Sequence, residues 1–212
     1  MMELGEEIKK YLPQYLSDTS LQQLKEELAK FPTDGTKDTV YTSALSRADY
    51  LLQGDGVAEM NYVDFPNTNV RQINAILMSN TCDMSTDNKR MNPCRIMYAP
   101  ILNFAKYEEK LRRDFPIERA NNHLKDIKAQ QISQILYLPK GGKLRYEGIV
   151  FFDRAISIPL SEETVKLMCN KKLFTLSNFG LYLFLFKMSF HFTRIQERID
   201  RITGEDLGKK SS

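Results

Sequence analysis

The sequence predicts an α+β fold in which a small β-barrel or a curled antiparallel sheet is surrounded by helices. Apolar residues recur at helical spacing in residues 1–52, 103–131 and 177–202. Short apolar runs bounded by turn residues fill residues 53–102 and 132–160 instead. Because no linker rich in Pro, Gly or Ser separates these regions, we expect residues 1–212 to form a single domain.

Residues 1–52 are predicted to form a helical N-terminal extension. The apolar face of a first predicted helix precedes Pro13, which ends that helix. Thr19 with Gln22 forms a capping-box signature before the apolar face of a second helix. The two apolar faces consist of Leu4, Ile8, Tyr11 and Leu12, and of Leu21, Leu24, Leu28 and Phe31. A further short helix is expected between Val40 and Leu51.

The periodicity changes after the turn at residues 53–56, where the β-core is predicted to begin. Residues 57–65 alternate roughly between apolar and polar side chains, and residues 73–78 form a nearly continuous apolar run. Further strands are expected at residues 95–100 and 132–138, with one or two more within 147–158. Together these runs are enough for a small sheet that curls or closes on itself.

Two helical regions interrupt and follow the strands. Residues 103–131 carry two apolar stripes separated by Pro116, which predicts an inserted helical hairpin. The C-terminal helix is expected over residues 177–202, starting at the capping residues Ser177 and Asn178 and ending before Gly204. Residues 204–212 are predicted to be a polar tail.

Composition limits the cellular setting but identifies no activity. The formal net charge of +3 is too small to indicate nucleic-acid binding by itself. The three cysteines lack CxxC spacing, which favours free thiols in a reducing compartment, and we expect a cytoplasmic protein. The start of the chain does not resemble a signal peptide, and the longest apolar run, Phe179 to Phe186, is much shorter than the roughly 20 residues of a membrane span. No membrane partner is predicted.

The candidate catalytic residues follow the apolar run that ends at Met78. Ser79, Cys82 and Asp83 stand together where a strand is expected to reach the surface, an arrangement that delivers reactive groups to a rigid edge. Cys82 acts as a nucleophile only if a positive group or a helix N-terminus lowers the pKa of its thiol. Alternatively, Cys82 is a small buried apolar residue.

Acidic residues in the same segment also allow two interpretations. Asp83 and Asp87 supply the hard oxygen ligands that suit magnesium, or they are turn residues that bond to their own backbone. Cys82 and Cys94 do not have the spacing of a zinc site. We therefore predict no metal and no cofactor.

A second candidate site lies on the predicted C-terminal helix. Basic residues recur there at intervals of three and four, which places them on one helix face. They are Lys187, His191, Arg194, Arg198 and Arg201. The stripe would present forked donors to the phosphates of a nucleic acid, or it is an ordinary solvated face near a helix C-terminus.

The β-region resembles the MazF and PemK toxin family over residues 53–102. The similar segments are Gly54–Asp55, Arg71, Ala75 to Ser79 and Tyr98 to Ile101. The resemblance implies an SH3-like β-barrel that cleaves single-stranded RNA without metal and is neutralised by an antitoxin. It also implies that Arg71 is the family's arginine and Ser79 its hydroxyl residue. The Ser-Asn-Thr-Cys-Asp motif at residues 79–83, followed by Tyr98 to Ile101, is also similar to uncharacterised bacterial proteins of mobile or defence loci.

Two functions are therefore expected from the sequence. The first is an RNA-acting protein of toxin–antitoxin or antiviral-defence type, with Arg71 stabilising phosphate charge and Ser79 and Asp83 positioning the 2′-hydroxyl. The second is a non-catalytic interaction module that binds a partner effector protein. The sequence leaves open whether the protein is an enzyme, since cleavage needs an acid and a base, and His123 and His191 both lie far along the chain from Ser79.

Overall fold

Eight strands and four helices follow one another in the part of the chain that the computed structural model describes, residues 40–88, 90–92 and 94–193. The strands are β1 (Tyr41–Thr42), β2 (Gly56–Tyr62), β3 (Arg71–Leu77), β4 (Arg95–Asn103), β5 (Ile135–Leu138), β6 (Gly148–Phe151), β7 (Ile156–Pro159) and β8 (Lys172–Leu176). The helices are α1 (Phe104–Asp114), α2 (Ile117–Lys128), α3 (Glu162–Asn170) and α4 (Asn178–Thr193). The helices predicted within residues 1–39, the polar tail and the last part of the C-terminal helix lie outside the described residues.

The strands form one antiparallel sheet in the order β1-β8-β2-β3-β4-β6-β5, with β7 also paired to β4. Strand β4 organises the sheet because its start pairs with β7, its middle with β3 and its end with β6. The sheet is not closed, since β1 and β5 stand at opposite ends of the strand order. The predicted α+β fold with a curled antiparallel sheet is confirmed, whereas a closed SH3-like barrel is not formed.

The inserted helical hairpin is confirmed. The Asn103 side chain accepts a hydrogen bond from the backbone N–H of Lys106 and so caps α1. Pro116 separates α1 from α2, as its missing donor and fixed φ require. The buried side of the hairpin packs Phe104, Leu124 and Ile127 against residues of β5 and β6. The hairpin therefore covers one end of the sheet.

Helix α4 begins where the sequence predicts. The Ser177 hydroxyl accepts a hydrogen bond from the Gly180 N–H, which caps the helix. Position 180 has no room for a side chain, because a Cβ atom there would come within 2.2 Å of the Val40 carbonyl oxygen. Phe179, Leu183 and Phe184 of α4 lie in the largest apolar core, against β3, β4, β5 and β8. No helix in the described ranges is both long and apolar enough to cross a bilayer.

One prediction for the flanking regions is wrong, and two elements there were not predicted. The short helix expected between Val40 and Leu51 is replaced by β1 and a series of turns, in which the Thr42 hydroxyl oxygen accepts from the Ala44 N–H. Residues 41–42 pair with β8 instead. Neither α3 nor β8 is predicted by the sequence. Helix α3 is capped by Ser161, but position 164 holds threonine where a capping box has Glu or Gln.

Candidate functional site

The polar segment after β3 is held tightly against β4. The Ser79 hydroxyl accepts a hydrogen bond from the Met97 N–H at 2.8 Å and donates to the Arg95 carbonyl at 3.4 Å. The backbone N–H groups of Met78 and Ser79 both donate to the Met97 carbonyl. Ser79 therefore extends the pairing of β3 and β4, and its hydroxyl serves the backbone of β4.

The next residues fold into a short 3-10 turn, Thr81–Met84. The Asn80 side chain caps it by accepting from the Cys82 N–H at 3.0 Å, and Met84 anchors it in the core. Gln53 holds the turn from the other side, because its N–H donates to the Thr81 hydroxyl and its side-chain amide to the Met78 carbonyl. The segment is thus a rigid edge, as the sequence predicts.

Cys82 is exposed at this edge and is a free thiol, so the interpretation of Cys82 as a small buried residue is wrong. Its carbonyl accepts a hydrogen bond from the Asn88 side chain at 3.1 Å. Asn80 rather than Asp83 is the residue that forms the side-chain bond within the turn. Asp83 instead pairs with Arg90, and both side chains are about two-fifths exposed.

A concave site, which we call the rim pocket, lies beside this ion pair and has a volume of about 340 Å³. It is lined by Asp83, Arg90, Met91, Asn92, Cys94 and Arg95. Arg95 begins β4, and its guanidinium donates to the Ser157 hydroxyl at 2.9 Å and to the Ser157 carbonyl at 2.7 Å. Those bonds use two of the five N–H donors of the guanidinium. The pocket therefore combines two oriented arginines with one carboxylate.

Arg71 is not part of the rim pocket. It begins β3, whereas Ser79 lies beyond the other end of the same strand, about 25 Å away along extended chain. The Arg71 guanidinium pairs with Asp64 at 3.4 Å and lies 5.4 Å from the centre of the Tyr62 ring. Of the four predicted catalytic residues, only Asp83 lines the rim pocket. Ser79 and Cys82 are close to Asp83 in sequence, and Arg71 stands at the opposite end of β3.

The first residue of the predicted basic stripe on the C-terminal helix does not lie at the surface. Lys187 is buried, with 2% exposure, and its ammonium donates to the Gln130 carbonyl at 2.8 Å. Burial lowers the pKa of Lys187 to about 7. His191 is half-buried beside the rings of Phe152 and Phe192. Arg194 and Arg198 lie outside the described residues.

General acid–base chemistry at the rim pocket would need a titratable side chain, and the Asp83 carboxylate is one that lines it. Neither histidine lies there, because His123 bonds to Tyr107 between α1 and α2, and His191 packs on Phe152. Within the described residues, no three His, Cys, Asp or Glu side chains come together to hold a metal ion.

Arg90 and Arg95 line the rim pocket but are not among the candidate residues predicted from the sequence. Arg90 stands in a polar loop and Arg95 opens an apolar strand, positions that are ordinary for arginine. Arg90 lies beside Asp83 through their ion pair, and Arg95 reaches the same pocket at the start of β4, which pairs with β3 and β7. The sequence signal that could have identified these two arginines is their position on either side of Cys94, close to the edge that follows β3.

Comparison with known protein families finds no family that matches the chain, and no functionally characterised protein matches it in sequence.

Proposed function

We propose that the protein binds single-stranded RNA at the rim pocket without cleaving it. The observation that carries the proposal is the pair of arginines, Arg90 and Arg95, in a concave site at the rigid edge between β3 and β4. Guanidinium groups donate in a forked geometry to phosphate oxygens and stack on unpaired bases. The fully exposed side chain of Met91 adds an apolar contact beside them.

Orientation is what distinguishes these arginines from ordinary surface residues. Arg95 is held by two hydrogen bonds to Ser157 of β7, and Arg90 is held by Asp83. A donor that is already positioned loses less side-chain entropy when it binds a ligand. The Asp83 carboxylate also restricts where a phosphate can approach, so a strand must lie along the arginine side of the pocket.

Binding rather than cleavage follows from the separation of the residues on which cleavage would depend. Arg71 and Ser79 stand at opposite ends of β3, and the Ser79 hydroxyl is engaged with β4. A role in a toxin–antitoxin or antiviral-defence system is part of the same proposal and derives from the family resemblance.

The proposal predicts that fluorescein-labelled oligouridine binds the purified chain in EDTA and stays intact. Each arginine contact to RNA is worth about 1–3 kcal/mol, so Arg90→Ala/Arg95→Ala is expected to weaken binding by at least about tenfold. Fluorescence anisotropy measures the affinity, and a denaturing gel of the same mixtures shows whether the RNA is cut.

The matched control is Arg113→Ala/Arg119→Ala, which removes the same charge from α1 and α2, beyond the opposite end of β4. It should leave the affinity within about twofold of the wild type. Equal weakening by both double variants would show that the affinity depends on the net charge of the chain and not on the rim pocket. Metal-free cleavage by the wild type would contradict a binding function.

A second candidate function, protein interaction, is favoured by the exposed aromatic rings of α4. Phe186, Phe190 and Phe192 are 50%, 44% and 58% exposed, and the rings of Phe186 and Phe190 stack with centroids 6.4 Å apart. Large exposed apolar side chains clustered on one element are typical of interaction surfaces. The partner that can be tested directly is a second copy of the chain.

Sedimentation velocity over a range of protein concentrations tests this second function. Self-association of the wild type is expected, and Phe186→Ser/Phe190→Ser should abolish it by removing two aromatic anchors. Ile117→Ser, at the 69% exposed first residue of α2, is the matched control. A wild type that stays monomeric, or a control that dissociates equally, would contradict the assignment.

A further inference from the structure

A larger pocket, the lysine pocket, lies where the turn between β5 and β6 meets β1 and β8. Its volume is about 580 Å³, within the range of small-molecule sites. The polar side chains that line it are those of Thr42, Ser43, Ser46, Lys140, Lys143 and Lys172. No Asp or Glu is among the described residues that line it. The lining is therefore cationic and rich in hydroxyl groups.

Two of the three lysines have charges that a ligand can use. Lys140 and Lys143 are exposed, and neither forms an ion pair with a described residue. Burial by itself would raise the pKa of the nearby Glu147 carboxyl, but hydrogen bonds from Tyr137 and Lys128, with the charges of Lys128 and Lys140, lower it. The charge of Lys140 thus acts in part on Glu147, whereas Lys143 lines the pocket without an ion-pair partner among the described residues.

Lys172 has a different role, because its charge is balanced inside the protein. Its ammonium lies 2.9 Å from the Asp55 carboxylate and donates to the Tyr50 carbonyl at 2.9 Å. Both side chains of the ion pair are almost completely buried. Lys172 therefore fixes one wall of the pocket, and a bound anion must be neutralised by Lys140 and Lys143.

The turn that carries Lys140 and Lys143 is rigid. Gly142 has a φ of +55°, and a Cβ atom there would come within 2.6 Å of the Leu173 carbonyl oxygen. The Lys143 N–H donates to that same carbonyl at 2.7 Å, which ties the turn to β8. On the other side, Gly141 packs against the ring of Tyr41, whose hydroxyl donates to the Pro139 carbonyl. The two lysine backbones are held in place before any ligand arrives.

The hydroxyl side of the pocket is equally defined. The Thr42 hydroxyl oxygen accepts from the Ala44 N–H at 3.2 Å, so its own proton remains available as a donor. The Ser46 hydroxyl donates to the Ser43 carbonyl at 2.7 Å, which closes the turn that follows β1. Ammonium and hydroxyl donors around a glycine turn, without a carboxylate, match the acceptor oxygens of a phosphate group.

We infer that the lysine pocket binds the phosphate group of a small phosphorylated molecule. The inference does not depend on RNA binding at the rim pocket, which lies on other residues. The volume admits more than a bare phosphate ion, and the cationic lining selects ligands by their charge.

Isothermal titration calorimetry with ATP and with adenosine tests the inference. ATP is expected to bind at least about tenfold more tightly than adenosine, because only ATP carries the group that the lysines recognise. Lys140→Ala/Lys143→Ala should reduce the ATP affinity by about tenfold or more. Lys110→Ala/Lys125→Ala, which removes two exposed lysines from α1 and α2, is the matched control and should change the affinity by less than about twofold.

Chemical labelling provides a readout that needs no variant. ATP should slow the acetylation of Lys140 and Lys143 in the wild-type chain and leave Lys110 and Lys125 unchanged, as read by mass spectrometry. Three results would overturn the inference: equal affinity for adenosine and ATP, equal loss in both double variants, or unprotected lysines at saturating ATP. A fourth result would also overturn the inference: oligouridine binds and protects the same lysines when ATP does not. The phosphate that the pocket binds would then belong to RNA.

Discussion

Asp55→Ala is expected to lower the free energy of unfolding by about 3–5 kcal/mol. Asp55 is fully buried, and one carboxylate oxygen accepts from both the Lys172 ammonium and the Leu52 N–H, each at 2.9 Å. The other oxygen has no hydrogen-bond partner among the described residues. Removing the carboxylate leaves the Lys172 ammonium buried without its counter-charge. Urea denaturation followed by circular dichroism measures the loss.

An exposed ion pair supplies the control for this prediction. Asp114 pairs with Arg113 at 3.1 Å on the surface of α1, and Asp114→Ala should change stability by less than about 1 kcal/mol. The Asp55 variant should also disturb the rim, because the Gly54 N–H and the Asp55 carbonyl are both bonded to Leu77. A loss as small as that of the exposed pair would show that Lys172 is stabilised without Asp55.

The contribution of Lys187 to the free energy of unfolding is expected to rise by roughly 2 kcal/mol between pH 7 and pH 9. Burial lowers the pKa of its ammonium in the folded chain from 10.5 to about 7. Over this window the unfolded chain keeps a proton on Lys187 that the folded chain has released, so higher pH favours folding. Below pH 7 both states hold the proton, and the full cost of burying the charge remains.

The test compares urea unfolding of the wild type and Lys187→Met from pH 7 to pH 9. The raised pKa values of the buried tyrosines, including Tyr98 and Tyr137, and of the Cys169 thiol act in the opposite sense as pH rises. Those groups are present in both proteins, so they cancel in the difference. The free energy of unfolding of Lys187→Met minus that of the wild type should fall as pH rises. Lys166→Met, on the exposed side of α3, should track the wild type. Parallel profiles for the wild type and Lys187→Met would contradict the prediction.

Local sequence patterns were sufficient to predict the elements whose ends carry capping or helix-breaking residues. Pro116 and the cap at Asn103 define the helical hairpin, and Ser177 marks the start of α4. The short strands β1 and β8 were missed because two and five residues carry little periodicity. They become strands by pairing with each other and with β2, which is a tertiary effect.

The candidate site was predictable only where it is local in sequence. Ser79, Cys82 and Asp83 are neighbours along the chain, so any structure that ends β3 there keeps them together. Spacing along a helix places Lys187 and His191 on one face, but it does not show whether that face meets solvent or core. The Gln130 carbonyl, which accepts from Lys187, is 57 residues away in the sequence.

The lysine pocket shows the same limit. Residues 140–143 read as a turn between two strands, and nothing near them in sequence indicates the hydroxyl groups of Thr42, Ser43 and Ser46. The pocket exists because β1 pairs with β8 and the turn is bonded to the Leu173 carbonyl of β8. Such sites depend on strand order, which one sequence does not reveal.

Photo-crosslinking of 4-thiouridine RNA to the wild-type chain, with the crosslinked peptides identified by mass spectrometry, tests RNA binding at the rim pocket most directly. The account predicts crosslinks within residues 79–95, which contain the turn after β3, Arg90 and Arg95. Arg90→Ala/Arg95→Ala should remove most of them. Crosslinks confined to α1 and α2, or the absence of any crosslink at saturating RNA, would contradict the account.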